Sequence, residues 1–411
     1  MNPNNQRQAG MAFIMVTVLI DMLAIGLIIP VLQPLVASFG GTPAEQAFWY
    51  GVVAFAFGVS SFFGSPLLGA LSDRYGRRPV LLLGFCGLAL SFFGTALATA
   101  LWMLVAVRVF AGGMQANQAV ANAYVADITA PEERARRFGL LGAMTGVGFI
   151  LGPVAGGLLG AIDLHLPFFV AGVLALANLL YGYYVLPESL PHGRRRAFTW
   201  SAANPLRSLQ ALAQLKGVGL LVAVLALSGL AQFTLHTVWV LYTTFKFGWG
   251  PMENGWSLAL VGLVYFVVQG FMMGRLLNLL GAARLAMLGI GTSMLAHLGW
   301  ALATQGWMMY AVIALNLLTV TIAPAIQSIV SGAAKATEQG QAMGAVGGLN
   351  SLMMVLSPLT GAGLFSLVSD LPPGDWRIGA PFFLCAALQA AALLLAWRHF
   401  GRRGAEHGVA H

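Results

Sequence analysis

Twelve long apolar runs constrain the fold of this chain more than any other feature of its sequence. A helix that crosses the ~30 Å hydrocarbon core of a bilayer needs about 20 predominantly apolar residues. Runs of that length occupy approximately residues 11–37, 47–71, 79–99, 101–126, 136–160, 165–186, 217–245, 253–274, 284–303, 306–333, 341–368 and 377–399. The sequence therefore predicts twelve membrane-spanning helices, named spans 1 to 12 in chain order.

The composition agrees with a membrane protein and excludes a soluble one. Only 8% of the 411 residues are charged and 58% are hydrophobic, whereas a soluble domain carries about 25% charged residues. The net charge of +8 lies in the loops, where membrane topology accounts for it, so we expect no nucleic-acid partner. Because span 1 is too long for a signal peptide and lacks a small-residue cleavage site, we expect it to stay uncleaved.

The positive residues of the loops lie almost entirely on one side of the predicted membrane. Of the 21 Lys and Arg residues, 18 fall on the side of both chain ends, whereas Lys246 and Arg377 fall on the other and Arg108 lies within span 4. Positive loops stay on the cytoplasmic side, so we expect both termini in the cytoplasm. The predicted parts of the chain are a six-helix bundle over 1–186, a cytoplasmic linker over 187–216 and a second six-helix bundle over 217–411.

An internal repeat relates the two halves of the chain. A shift of 205 residues superposes glycines, a glutamate and a proline from three separate regions. The matches include Gly69 with Gly274, Glu133 with Glu338, and Pro153 with Pro358. Parallel repeats of this kind occur in transporters whose substrate cavity lies between the halves. The repeat therefore predicts two pseudo-symmetric bundles around a central site.

A short charged turn joins spans 2 and 3 and is too charged to lie in the bilayer. Its notable residues are Gly69, Asp73, Arg74, Gly76 and Arg77. Gly76 permits a left-handed turn, and topology brings Asp127 from the end of span 4 beside it. We expect a conformational latch in which Asp127 contacts Arg77 and Asp73 meets the positive N-terminal end of span 11. The alternative is ordinary solvated loop charge.

Two charged residues lie inside predicted spans. Asp21 is about ten residues into span 1, and Arg108 is about seven residues into span 4 from the opposite side, so both lie near the membrane centre. A mid-span ionisable group costs about 3 kcal/mol or more, and its first interpretation is functional. We expect Asp21 to exchange protons and to pair with Arg108 when charged; the alternative is a permanent salt bridge. His236 in span 7 either titrates as well or only hydrogen-bonds a neighbour.

Polar side chains mark one face of several spans. Arg108, Gln115 and Asn122 recur at intervals of seven, which indicates a polar face that lines a water-filled cavity. The predicted substrate contacts are Gln115, Gln118, Asn122, Gln232, His236, Trp239, Tyr265, Gln269, Asn316 and Asn350. The many Phe, Trp and Met residues favour a bulky, partly apolar ligand. No residues have metal-site spacing, and Cys86 and Cys385 are expected to be packing residues.

The turn at residues 69–82 reads GALSDRYGRRPVLL. This pattern resembles the signature G-x-L-x-D-R-x-G-R-R-x-x-L of the major facilitator superfamily (MFS), between its second and third helices. In span 5 the pattern G-x-x-x-G-P-x-x-G-G resembles the antiporter motif of drug exporters in that superfamily, which importers usually lack. The residues of this motif are Gly148, Gly152, Pro153, Gly156 and Gly157. Small residues at this spacing also simply allow helices to pack closely.

Two further stretches resemble helix motifs of drug/proton antiporters in the same superfamily. They are Leu19–Pro30 in span 1 and Val107–Gly113 in span 4, where the family's arginine is linked with proton coupling. Within the superfamily the chain most closely resembles tetracycline/proton antiporters. It departs from them where that group carries membrane acids in helices three and nine and a histidine in helix eight. The residues at these positions are Ser91, Thr292 and Tyr265.

The resemblance implies an all-α integral membrane protein whose twelve transmembrane helices form two pseudo-symmetric six-helix bundles, the MFS fold. It implies a monomer in the bacterial inner membrane that exports a bulky amphipathic compound, such as a drug or a tetracycline-like antibiotic, by alternating access. Protons are the expected coupling ion, with no other cofactor. The alternative is a proton symporter that imports a small nutrient or metabolite. A receptor or scaffold has no need of Asp21 and Arg108, and no nucleophile–base pair favours an enzyme.

Overall fold

The computed structural model describes residues 3–115, 117–129, 133–191, 193, 195, 197–200, 204–206, 219–333 and 339–408. Within these residues the chain consists of helices and their connections, without a β-strand. The predicted all-α class is therefore confirmed. The side chain of Gln118, one of the predicted substrate contacts, lies outside the described part.

Seven helices make up the described part of the first half. Their bounds are Pro3–Ala37 (α1), Pro43–Tyr75 (α2), Arg77–Ala96 (α3), Leu101–Gly113 (α4), Asn117–Ile128 (α5), Arg134–Ile162 (α6) and Leu166–Val185 (α7). Pro30, Pro66 and Pro153 lie inside α1, α2 and α6. Membrane helices tolerate such prolines because neighbouring groups satisfy the freed carbonyls.

Seven further helices make up the described part of the second half. Their bounds are Gly219–Phe247 (α8), Pro251–Val267 (α9), Met273–Leu302 (α10), Gly306–Leu315 (α11), Ile322–Ala333 (α12), Gln339–Val368 (α13) and Ala380–Gly408 (α14). A π-helical turn over Val268–Met272 joins α9 to α10, and 3₁₀ turns over Leu317–Thr321 and Trp376–Gly379 precede α12 and α14.

These helices account for the twelve predicted spans. Span 8 runs through α9 into the beginning of α10 and ends at Gly281, whose φ of 71° breaks the helix before span 9. This left-handed backbone favours glycine. Nine described helices are long and apolar enough to cross a membrane, or ten with the bent pair of span 10. The count of ten takes spans 8 and 9 as one helix and omits the interrupted span 4. With these two spans added, the described helices account for twelve spans, and the prediction is confirmed.

Spans 4 and 10 are both interrupted along their length. In span 4, α4 ends at Gly113 and α5 begins at Asn117. In span 10, α11 ends at Leu315 and α12 begins at Ile322, and the two sides are bent by 47°. The shift of 205 residues brings position 113 onto position 318, so the two breaks are equivalent. Interrupted spans at corresponding positions of two repeats point to a binding site.

Each break leaves backbone carbonyls that a neighbouring side chain satisfies. The Ser65 hydroxyl of α2 donates to the carbonyl of Gln115. In the second half, the Gln269 amide donates to the carbonyl of Val320 over 2.7 Å. Because an unsatisfied carbonyl in hydrocarbon costs several kcal/mol, these two contacts stabilise the interrupted conformation of both spans.

The contacts along the chain define two compact units. The first unit contains Met1–Gly41, Val52–Asn204 and Trp249–Leu263. The second unit contains Thr42–Gly51, Pro205–Gly248 and Val264–His411. The predicted bundles over 1–186 and 217–411 differ from these units by two short exchanged segments. Their division at 187–216 stays a prediction, since residues 207–218 lie outside the described part.

Each unit has an apolar core of its own. In the first unit, Phe85 and Tyr124 pack against residues of α1, α3 and α6. In the second unit, Ile290 and Ile326 pack between α8, α10, α12 and α14. Because lipid tails are as apolar as these side chains, close packing and buried polar contacts hold the helices together more than water exclusion does.

Candidate functional site

Asp21 is the centre of a buried polar cluster in the first unit. Its side chain is 6% exposed. One carboxylate oxygen accepts a hydrogen bond from the Asn117 amide of α5 at 3.1 Å, and the other accepts one from the Asn178 amide of α7 at 3.4 Å. Thr17, one turn earlier on α1, donates to the Asn178 carbonyl oxygen at 3.0 Å. Two neutral amides from two other spans therefore hold the carboxylate.

The break in span 4 positions Asn117. This residue begins α5, and its amide lies directly over Gly84 of α3, where a Cβ would collide with the Asn117 side-chain oxygen. Glycine at position 84 therefore leaves room for the amide that binds Asp21. Our sequence reasoning missed both Asn117 and Asn178. The sequence did offer a sign of Asn178, because it is a polar residue within the apolar run of span 6. In the structure its side chain is 0% exposed.

Arg108 is also buried, on α4, with 7% of its surface exposed. It is not among the hydrogen-bond or ion-pair partners of Asp21. Among the described contacts, the carboxylate of Asp21 therefore binds the amides of Asn117 and Asn178, and no ion pair with Arg108 is seen. The pairing of the two residues in another state of the protein stays a prediction.

Glycines of the predicted antiporter motif hold α1 directly against α6. A Cβ at Gly152 would lie 2.7 Å from the Leu23 carbonyl oxygen, and one at Gly148 would lie 2.6 Å from the Cβ of Met22. Gly156 meets α1 in the same way at Leu27. A Cβ at Gly148 would also lie 3.0 Å from the Leu19 carbonyl oxygen, so these glycines pack against α1 on both sides of Asp21.

The remaining motif residues face two different neighbours. The ring of Pro153 approaches Gly26 of α1, where a Cβ would lie 2.8 Å from the proline Cδ. Gly157 faces α9 within the first unit, and a Cβ there would lie 2.6 Å from the carbonyl oxygen of Pro251. Two faces of α6 therefore pack at backbone distance, which requires small residues on both.

The polar face predicted for span 4 is split by the break. Gln115 lies in the break, partly buried, and its carbonyl is the group that accepts from Ser65. Asn122 lies on α5, partly buried, whereas the side chain of Gln118 is outside the described part. Among the polar side chains of this span that the structure describes, Asn117 is the one that contacts Asp21.

Gln232 and His236 form a pair on α8 of the second unit. Their side-chain nitrogens Nε2 lie 3.0 Å apart, one helical turn from each other. His236 is exposed on this unit and stacks edge-on against Phe233 at 6.3 Å. The structure thus brings together two of the predicted substrate contacts, and leaves His236 without an acidic partner among the described residues.

Trp239 lies in the core of the second unit. It is 4% exposed and packs edge-to-face against Trp300 at 5.3 Å and Phe382 at 6.5 Å between ring centroids. The expectation that Trp239 lines a cavity with Gln232 and His236 is not met in this structure. Helical spacing placed it on their face, but the aromatic contacts with α10 and α14 bury the indole.

The other predicted contacts of the second half lie near its interrupted span. Gln269 binds the Val320 carbonyl. Asn316 directly follows α11 and accepts a hydrogen bond from the hydroxyl of Thr319. Tyr265 is 47% exposed on α9, and Asn350 lies partly buried on α13. Gln269 and Asn316 therefore shape the break, which is a structural task that the sequence pattern did not indicate.

Arg77 is the centre of the predicted latch. Its guanidinium contacts Asp73 at 2.6 Å and Asp127 at 3.2 Å. Gly76, with φ of 113°, precedes α3, and Arg74 lies over the ring of Tyr75 at 5.0 Å. The structure thus places Arg77 against Asp127, as topology suggested. The expected contact of Asp73 with the start of span 11 stays a prediction, because the side chains of residues 339–345 at the start of α13 lie outside the described part. Among the described residues, no side chain approaches Gly69.

Glu188 is a further member of this cluster that sequence reasoning missed. Its carboxylate accepts from the backbone N–H groups of Arg77 at 2.8 Å and Arg78 at 3.3 Å, so it caps the N-terminus of α3. Beside it, Ser189 donates to Asp127 at 3.2 Å, and Tyr124 donates to the Pro187 carbonyl at 3.0 Å. The first residues of the predicted linker are therefore bound to the latch, where a negative group also complements the helix dipole.

The motifs, the repeat and the paired breaks together match one family. Residues 14–245 and 221–410 match the family model described as Major Facilitator Superfamily. The chain belongs to the Major Facilitator Superfamily. It is a multi-pass membrane protein of a transporter family, and the two matched ranges, which overlap over residues 221–245, together cover residues 14–410.

Among curated proteins, this MFS chain is similar to tetracycline resistance proteins. It is 36% identical over 369 residues to the class C protein of Escherichia coli, covering 90% of this chain and 93% of that protein. It is 35% identical over 382 residues to the class D protein of Salmonella ordonez, covering 93% and 95%. The similarity therefore extends over nearly the whole length of each relative.

Solved MFS structures share the fold of this chain. The human organic anion transporter MFSD10 (TETRAN) superposes with a TM-score of 0.72 at 24% identity, covering 95% of this chain and 99% of that one. The nucleoside transporter NupG gives a TM-score of 0.76 at 13% identity, covering 97% and 99%. A D-xylose-proton symporter gives 0.75 at 17%, covering 95% and 97%. At these identities the likeness concerns the fold alone.

Proposed function

We propose that this MFS protein is a proton-coupled exporter of a bulky amphipathic compound, with Asp21 as the proton-binding group. The observation that carries the proposal is the neutral environment of this buried carboxylate. An amide offers N–H donors to a charged carboxylate and a carbonyl oxygen to a protonated one. Asn117 and Asn178 can therefore satisfy both protonation states, which a fixed cationic partner would not.

The clamp around α1 supports a transport role for Asp21. The α6 glycines hold the α1 backbone on both sides of Asp21, while Asn117 belongs to the short helix that follows the break in span 4. A change in the protonation of Asp21 alters the hydrogen bond to Asn117 and acts on this break. A proton can shift the equilibrium between inward- and outward-facing states only if it interacts differently with the two states. The hydrogen bond between Asp21 and Asn117 provides such a difference in this proposal.

Export is favoured over import by the relatives and by the α6 motif. The curated relatives at 36% and 35% identity are named tetracycline resistance proteins, and the antiporter motif is present in full. The substrate class is a bulky amphipathic compound, with tetracycline as the first probe. Ser91 and Thr292 are neutral and hydrogen-bonded to carbonyls of their own helices, so the proposed substrate does not rely on membrane acids at these positions.

The proposed setting is the bacterial inner membrane, with the protein as a monomer and both termini in the cytoplasm. The loop charges support this orientation, with Arg74, Arg77 and Arg78 at one end of α2 and α3. The coupling ion in this proposal is the proton. The latch around Arg77 and Glu188 would then lie on the cytoplasmic face and hold α3, α5 and the linker together in this conformation.

The direction of proton-linked flux tests the proposed function. Purified protein is reconstituted into liposomes, a pH gradient is imposed, and uptake of labelled tetracycline and of a fluorescent amphipathic dye is followed. An exporter moves substrate against the direction of the proton. A symporter moves both in the same direction, and a receptor or scaffold gives no gradient-dependent flux; either result overturns the proposal.

A further inference from the structure

An open groove of about 560 Å³ lies on the second unit between α10 and α14. Its walls are almost entirely apolar. The lining residues used below are Arg284, Met287, Leu288, Gly291 and Leu295 of α10 and Leu393 of α14. The one hydroxyl in this lining, that of Thr292, donates to the Gly289 carbonyl of its own helix at 3.0 Å, so the middle of the groove offers no polar partner.

Gly291 creates the depth of the groove. A Cβ at this position would meet only the Leu393 side chain, at 4.0 Å, which is ordinary contact. The glycine is thus not required for close helix packing, in contrast to the glycines of α6. Its effect is to leave an open channel between Leu288 and Leu295, which are 46% and 62% exposed.

The length of the groove matches one leaflet of a bilayer. Arg284 and Leu295 are eleven residues apart on α10, which corresponds to about 16 Å along the helix. That is about half of the ~30 Å hydrocarbon thickness. Because span 9 begins after Gly281, Arg284 lies in its first turn, on the side that the loop charges predict to be cytoplasmic.

The cytoplasmic end of the groove is both cationic and aromatic. Arg284 is exposed there and forms no ion pair with any described residue. On α14, Trp397 lies one turn beyond Leu393 toward the same end and is 68% exposed. Trp and Arg at the end of an apolar surface are typical of the membrane–water boundary, and Arg binds phosphate oxygens well.

We propose that this groove binds one anionic phospholipid of the cytoplasmic leaflet. The phosphate contacts the Arg284 guanidinium, and one acyl chain lies over Gly291 between Leu288 and Leu393. The match of groove length to leaflet depth and the position of Arg284, the one cation among the lining residues, carry the proposal. This site is independent of the proton site, which belongs to the other unit.

Retention of lipid by the full-length protein tests the proposal. Protein in detergent is mixed with phosphatidylglycerol or with zwitterionic phosphatidylcholine, and bound lipid is counted by native mass spectrometry. Native protein should retain one phosphatidylglycerol in preference to phosphatidylcholine. A cation near the surface contributes about fivefold in affinity, so Arg284→Gln should lose about that factor and Arg284→Lys should recover most of it.

Two matched controls separate a site from general attraction. Arg275→Gln removes another exposed arginine at the same end of α10 that does not line the groove, and should leave retention unchanged. Gly291→Leu fills the groove without a backbone clash and should reduce retention, whereas Leu394→Phe changes an exposed residue of α14 outside it and should not. Equal losses with Arg275→Gln and Arg284→Gln, or retention that Gly291→Leu does not change, would overturn the proposal.

Discussion

Replacing Gly152 by alanine tests the packing that holds Asp21 in place. A Cβ at residue 152 would lie 2.7 Å from the Leu23 carbonyl oxygen and 2.8 Å from the Gly26 Cα. Both are main-chain atoms of α1, so neither can rotate away as a side chain would. The backbone of α1 must therefore move from α6, and Asp21, two residues before Leu23, must move with it.

The size of the effect follows from two opposing contributions. A Cβ and a carbonyl oxygen reach ordinary van der Waals contact at 3.4 Å, so α1 must shift by about 0.7 Å. The hydrogen bond from Asn117 to Asp21 is 3.1 Å long. If it lengthens by the same amount, it leaves the hydrogen-bonding range. Overpacking costs about 1–3 kcal/mol, whereas alanine favours a helix over glycine by about 0.5–1 kcal/mol. We expect a net destabilisation of about 1–2 kcal/mol.

A second glycine of α6 provides the matched control. Apart from the backbone of its own helix and its chain neighbours, no described residue lies within 4 Å of a Cβ built at Gly142, so Gly142→Ala brings only the gain in helix propensity. The assays are the apparent melting temperature in detergent and pH-gradient-driven uptake in proteoliposomes. Gly152→Ala should lower both, whereas Gly142→Ala should keep uptake and leave the melting temperature equal or higher. If the two variants behave alike, the packing argument is refuted.

Two further substitutions test the polar contacts. Asn117→Ala removes one of the two amides that bind the buried carboxylate. A hydrogen bond to a charged group is worth about 1.5–3 kcal/mol, so gradient-driven uptake at neutral pH should fall by about tenfold. Unchanged uptake would mean that this amide does not serve the proton site. Glu188→Gln removes the charge that caps α3, worth about 0.3–1 kcal/mol; hydrogen exchange at the amides of Arg77 and Arg78 should accelerate, and equal exchange rates would contradict the capping role.

The architecture was predictable because membrane crossing fixes helix length. The twelve apolar runs and the repeat of 205 residues sufficed for the span count and the fold class. The breaks in spans 4 and 10 were not predicted, although polar residues interrupt both apolar runs there, Gln115 and Asn117 in span 4 and Asn316 in span 10. They depend on tertiary donors, since the carbonyls of Gln115 and Val320 are satisfied by Ser65 and Gln269 from other spans.

The site was predictable only in part because charge is visible in a sequence and neutral partners are not. Asp21 stood out through the cost of a mid-membrane carboxylate, and Arg108 was the obvious partner by sign. Asn117 and Asn178 carry no charge, and only the packing of α1, α5 and α7 brings their amides to Asp21. Trp239 illustrates the opposite error, since correct helical spacing did not reveal that α10 and α14 bury its ring.

Uphill transport by an Asp21→Asn variant tests the central claim most directly. A gradient of one pH unit is worth about 1.4 kcal/mol per proton, which drives about tenfold accumulation when one proton is exchanged per substrate. Asp21→Asn should abolish accumulation of the exported probe in proteoliposomes, while substrate exchange at equal pH persists. Asp163 is an exposed acid at the end of α6, so the Asp163→Asn variant should accumulate the probe like the native protein. Native accumulation by Asp21→Asn would contradict the account.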